Sequence, residues 1–101
     1  MGIAHNDLVG LIYERLASSH GNISKNVHYH SGELDVLVIE GRRAIVVEVK
    51  TTGYKKSRRK ARKQLLKASE HYYPVTKKEF YGFYCYWADK QHTEYGIERL
   101  I

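Results

Sequence analysis

Asp35, Glu48 and Lys50 are the residues whose types and spacing could do chemistry. Asp35 lies in the run Gly32-Glu33-Leu34-Asp35-Val36-Leu37-Val38-Ile39. Glu48 and Lys50 lie in Ala44-Ile45-Val46-Val47-Glu48-Val49-Lys50-Thr51. The β-branched residues of Leu34 to Ile39 and of Ala44 to Val49 mark two strands. Between them stands Glu40-Gly41-Arg42-Arg43, and a two-residue loop Gly41-Arg42 places glycine where a type II′ hairpin turn prefers it, so the strands are expected to be antiparallel. With Glu40 opposite Arg43, Asp35 falls opposite Glu48, and the two-residue period of the pleat puts Lys50 on the face of Glu48. Moving the loop back one residue makes the carboxylates a diagonal pair and leaves them on one face.

Like charges at that separation destabilise a sheet, and withdrawing them from water costs more unless a cation is present. The expected ligand is therefore a divalent metal. Two carboxylates offer hard oxygen donors suited to Mg2+, with Mn2+ as a substitute, and Mg2+ readily takes phosphate oxygens into its shell. Phosphodiester hydrolysis follows as the expected chemistry. The cation would acidify a bound water and stabilise charge at the scissile phosphate, while Lys50 orients the nucleophile or screens the transition state. The plainer alternative makes Asp35 and Glu48 exposed partners of Lys50 and Arg43. Against it stands the interruption of an otherwise apolar strand by Glu48.

The elements that must position these groups can be read in order. Leu8, Leu11, Ile12 and Leu16 recur at helical spacing from about Ile3 to Ser18, and Gly21 can turn the chain beyond them. A short extended stretch, Asn26 to His30, precedes the hairpin. After Thr51-Thr52-Gly53 a second helix is expected from about Ser57 to Tyr72, burying Ala61, Leu65, Ala68 and Tyr72, with Pro74 just beyond its end. Glu79 to Trp87 and Thr93 to Leu100 read as strands. The order is α-β-β-β-α-β-β, an α/β arrangement with helices packed on a small mixed sheet.

The chain has 101 residues, 43% hydrophobic, which suits one compact domain with one core spanning residues 1–101. A formal charge of +6 favours a polyanionic partner. No run reaches the ~20 apolar residues of a bilayer crossing and no secretory core precedes the first helix, so a cytoplasmic, membrane-free location is expected. Cys85 is the only cysteine, which excludes an internal disulfide and a thiolate zinc cluster. It is expected to be a buried small apolar residue.

Residues 32–52 resemble the core motif of the PD-(D/E)xK nucleases. The likeness is closest to archaeal-type Holliday-junction resolvases, to small bacterial resolvase-like proteins with a Gly-Glu-x-Asp motif, and to RecB-type exonuclease domains. Leu34 stands where the family's name puts proline. The resemblance implies a restriction-endonuclease-like fold, a Mg2+-dependent deoxyribonuclease and a role in DNA recombination and repair. It implies that Asp35, Glu48 and the Val49 backbone carbonyl hold one or two cations and that Lys50 assists the attacking water. Many members add a ligand from the first helix, glutamate in resolvases and histidine in RecB-type domains, for which Glu14 and His5 are the candidates here. The apolar arc of that helix centres near His5, with Glu14 nearly opposite, so His5 is preferred if the helix begins before it. Gln64 resembles the RecB-type glutamine, followed by an aromatic, here Tyr72.

Lys55, Lys56, Arg58, Arg59, Lys60, Arg62 and Lys63 place seven of the 17 basic residues in nine positions, with no acidic residue from Thr51 to Ser69. They are expected to contact DNA phosphates without reading sequence, some of them from a mobile loop before the helix. The aromatic run around Tyr81, Phe83, Tyr84, Tyr86 and Trp87 is expected to be core or a dimer interface, since a two-fold homodimer would suit symmetric cutting of a junction. A RecB-like module trimming or nicking DNA is the competing expectation, and a non-catalytic basic nucleic-acid-binding domain the third.

Overall fold

The computed structural model describes residues 3–76 and 79–101. Its elements are α1 (Ile3–Ala17), β1 (Ile23–Tyr29), β2 (Gly32–Glu40), β3 (Arg43–Lys50), α2 (Lys55–Thr76), β4 (Glu79–Trp87) and β5 (Tyr95–Arg99). The strands form one sheet in the order β1-β2-β3-β4-β5. All neighbours are antiparallel except β3 and β4, which run parallel. Parallel neighbours cannot be joined by a hairpin, and α2 supplies the crossover between them. The result is the expected α/β domain, a five-stranded mixed sheet with a helix on each face.

The hairpin register is as the turn chemistry dictates. Glu40 faces Arg43 and Val36 faces Val47. Gly41 has φ +56° while Arg42 does not enter the positive region, as a type II′ turn requires. Leu8, Val9 and Ile12 of α1 cover Val36, Val47, Val49, Cys85 and Trp87 on one side of the sheet. On the other side Leu65 and Ala68 of α2 cover Leu34, Leu37 and Val46. Cys85 is fully buried, and burial pushes its thiol up to about 12, so it behaves as an apolar residue.

Several element ends differ from expectation. β1 begins at Ile23, ahead of Asn26, because Ile23, Ser24 and Lys25 find partners on β2 that so short a run, with one apolar residue, does not announce. α2 starts at Lys55, where the Arg58 amide donates to the Tyr54 carbonyl at 3.0 Å. The basic residues expected on a loop before the helix are therefore helical. At its other end the helix runs to Thr76, through Pro74 rather than stopping before it, at the cost of one ladder hydrogen bond that proline cannot donate. β4 is hydrogen-bonded to β3 and to β5, so the aromatic strand is interior to the sheet and not a free edge for a second chain. Among the described residues no helix is long and apolar enough to cross a membrane.

Close packing of the crossover is exacting at Gly82. A Cβ there would sit 2.7 Å from Ile101 Cγ1 and 3.1 Å from Leu65 Cδ2. Gly82→Ala is expected to destabilise the domain by ~1–3 kcal/mol through overpacking, read as a lower urea midpoint with unchanged m-value.

Candidate active site

The site is built where the regular sheet lapses. Along a strand residues 34 and 36 should share a face. Instead Leu34 belongs to the cluster beneath α2 and Val36 to the cluster beneath α1. β1 changes face at the same level, for Ile23 packs on the α1 side and Val27 and Tyr29 on the α2 side. Between them Asn26 takes φ +53°, a left-handed conformation that asparagine tolerates. The β1–β2 ladder pairs Lys25 with Val36 and Val27 with Leu34 but skips Asn26 and Asp35. The β2–β3 ladder ends at Val36 and Val47, one step before Asp35 and Glu48 would meet.

Asp35 occupies the fork where β2 and β3 part. Its Oδ2 accepts a hydrogen bond from the Val49 amide at 2.8 Å, satisfying a backbone donor that the lapsed ladder leaves over. Its Oδ1 lies 3.4 Å from His5 Nε2. The expectation that Asp35 and Glu48 face each other as a direct ladder pair is thus corrected. The groups are neighbours, but the Asp35 carboxylate reaches between the strands. The physical reason is that two buried carboxylates pressed together in a closed ladder would repel without relief.

Glu48 is 1% exposed, and its Oε1 has no hydrogen-bond partner. Burial and then the negative charge of Asp35 push its carboxyl up to about 8, against the pull of Lys50. Burial likewise raises Asp35, opposed by the Val49 amide, His5 and Lys50. Lys50 stands two residues beyond Glu48 and lines a groove with Lys60, Lys63, Gln64 and Lys67 of α2. Gln64 Oε1 is also buried without a partner.

The α1 candidates separate clearly. α1 begins at Ile3, His5 is buried against Asp35, and Glu14 is exposed on the solvent side. The Trp87 indole donates to the Ala4 carbonyl at 2.8 Å and so fixes the turn that carries His5. Among the described residues no three His, Cys, Asp or Glu side chains form a ready-made metal cage. What the site offers is two buried carboxylates, one with an unsatisfied oxygen, and the Val49 backbone between Glu48 and Lys50.

The seven basic residues expected to contact DNA are all exposed on α2 but do not act together. Lys60 and Lys63 border the groove. Arg58 makes a two-pronged ion pair with Glu98 of β5, with Nη2–Oε1 at 2.7 Å and Nε–Oε2 at 3.2 Å, and this guanidinium holds the Glu98 carboxyl below its ordinary range. Lys55, Lys56, Arg59 and Arg62 lie outside the groove lining. Lys67 belongs to it and was not among the sequence candidates, although it follows Lys63 by four residues and so shares its helix face. The loop before α2 is held by the Tyr84 hydroxyl, which donates to the Thr52 carbonyl. Burial pushes that hydroxyl up to about 12, so it keeps its proton at neutral pH.

Fold and site together define a compact α/β domain with two buried carboxylates at a sheet fork, next to a basic groove that Lys50 lines. No protein-family model matches the chain, and no curated protein matches it.

Proposed function

We propose that the chain is a metal-dependent DNA endonuclease of the PD-(D/E)xK type, acting inside the cell on branched DNA as a homodimer. The observation that carries this reading is the fully buried Glu48 carboxylate, with an unpartnered Oε1, beside Asp35. Such a pair is costly on its own and is relieved by a cation. The donor set fits Mg2+, which takes a few carboxylate oxygens and fills the rest of its octahedron with water and phosphate oxygens. Asp35 and Glu48 would hold it, with the Val49 carbonyl as a further oxygen. When bound, the cation supplies Lewis-acid activation of water and phosphate.

The chain's own groups do the remainder. His5 and the Val49 amide fix the Asp35 carboxylate from two directions. The Lys50 ammonium would orient the attacking water or neutralise charge developing on the phosphate, a role supported by its position in the groove lining two residues beyond Glu48. Gln64, beside it in the groove, offers an amide for the same phosphate. Lys60, Lys63 and Lys67 hold flanking phosphates and set position without reading sequence. A second reading, a RecB-like module acting on ends or single strands, is favoured by His5 rather than Glu14 standing at Asp35 and by Gln64 near Lys50.

The test is incubation with four-way junction, duplex, splayed and single-stranded DNA in Mg2+ or Mn2+, with EDTA, Asp35→Ala and Lys50→Ala as controls. Symmetric junction cleavage lost in all three controls is the expected result. Cutting confined to ends or single strands selects the second reading, and DNA binding without cleavage in either metal selects a non-catalytic basic domain. Lys63→Glu combined with Lys67→Glu is expected to weaken DNA binding more than tenfold. The salt slope of log K should fall by roughly two, about one for each lost phosphate contact.

A further inference from the structure

The basic groove continues at Lys67 and Glu70 into a trough lined by His30, Ser31 and His71. His30 and Ser31 are the two-residue tip of the β1–β2 hairpin, since Tyr29 pairs with Gly32. His71 follows Lys67 by one turn of α2. The His30 and His71 rings lie 5.3 Å apart, and His71 contacts Tyr29 at 4.8 Å and Tyr72 at 4.7 Å between centroids. Tyr29 and Tyr72 belong to the apolar cluster beneath α2 and secure the hairpin tip to the helix. The two histidines extend this cluster of tilted and edge-on rings outward into the trough, where the exposed His30 ring leaves a face uncovered.

Charge changes sign along this path. Lys50, Lys60, Lys63 and Lys67 attract phosphate, whereas Glu70 repels it. A carboxylate, however, accepts hydrogen bonds from the exocyclic amino groups of bases. An exposed ring beside a carboxylate and a hydroxyl thus suits a base, while Lys67 at the junction with the groove suits the neighbouring phosphate. We propose that the His30–His71 trough binds an unpaired nucleobase one or two nucleotides from the phosphates held by Lys63 and Lys67. The proposal rests on the reading of the groove as a DNA track, and it makes single-stranded, frayed or branched DNA the preferred ligand over closed duplex. A base in a closed duplex keeps both faces stacked and cannot enter the trough.

The experiment is fluorescence anisotropy in EDTA, which separates binding from cleavage. A mixed-sequence labelled single strand is compared with the same strand in duplex. His30→Ala with His71→Ala is expected to lose about tenfold or more in affinity for the single strand, the loss of one stacked base, and less than about threefold for duplex. His30→Tyr, which keeps a ring at the exposed tip, is expected to stay within about twofold of the parent protein. Thermal melts confirm that each variant is folded. Equal losses on both ligands, no loss on the single strand, or a tyrosine variant as weak as alanine would overturn the proposal. Single-strand preference that needs the histidines, in a protein that cuts nothing in either metal, supports the base site while removing the nuclease reading. Cleavage with no such preference removes the base site alone.

Discussion

Glu48→Gln is expected to abolish divalent-cation-dependent DNA cleavage, on the order of 10³-fold or more in kcat/KM, and to make the metal-free protein more stable at pH 8. Both effects have one cause. Glu48 is buried next to Asp35, and its folded-state pKa of about 8 stands above its ordinary value of 4.5. Below the ordinary value the carboxyl is protonated in both states and contributes no pH dependence. Between the two values the folded protein keeps a proton that the unfolded chain has released, so stability falls as pH rises. Above about 8 the full penalty is present, on the order of a few kcal/mol. Asp35, raised in the same direction, adds to the slope.

Melting temperatures from pH 4 to 9 in EDTA check this directly. The parent protein should lose stability across that window, and Glu48→Gln should give a flatter profile that lies above it at pH 8. Mg2+ or Mn2+ should restore the parent protein at pH 8 and leave the variant unchanged, because binding to the folded state stabilises only where the ligands exist. Parallel profiles with and without the substitution would mean that the protein itself satisfies Glu48, and the case for a cation would go with it.

Leu65→Ala should produce the largest loss of stability away from the site, ~2–5 kcal/mol, seen as a lower urea midpoint. Leu65 is fully buried between α2 and the sheet, packed with Ala68, Leu34, Leu37 and Val46. Few neighbours can shift to fill the space, since Gly82 already brings the β4 backbone close to the Leu65 methyl groups. Domains of this size are stable by ~5–15 kcal/mol, so the loss takes a large share of the total. The adjacent Leu66 is 42% exposed, and Leu66→Ala should change stability by less than ~1 kcal/mol. The comparison separates burial from residue type. Because α2 also carries Lys60, Lys63, Gln64 and Lys67, Leu65→Ala should weaken DNA binding only near its unfolding midpoint. A binding loss in fully folded protein would mean that the helix has shifted on the sheet.

The order of elements, the hairpin and its register were legible in the chain because each rests on local rules. Gly41 suits the positive φ of the turn, the strand period is two, and Ala61, Leu65 and Ala68 mark the buried stripe of α2. The same rules brought Glu48 and Lys50 to one face of β3, and helical periodicity put His5 rather than Glu14 toward the sheet. The local rules failed where strands stop being regular. Face alternation carried through Asp35 predicts a direct pair with Glu48, but the pleat reverses at Asn26 and Asp35 together, and no single strand's pattern encodes a kink shared by two.

Charge density along α2 showed a basic helix without showing which cations are free for a ligand. That depends on distant partners, since Glu98 takes Arg58 from a strand forty residues away. The same holds for the meeting of His30 with His71, for the Trp87 bond to Ala4 and for the parallel placement of β4 beside β3. The sequence by itself determined the types and spacing of the reactive groups and the local geometry of the hairpin and helices, because those depend on neighbours within a turn or a strand. The tertiary structure alone decided how deeply Glu48 is buried, which oxygen it leaves unsatisfied and which lysines of α2 join Lys50 in the groove, because burial and charge pairing depend on segments brought together only when the sheet and both helices pack.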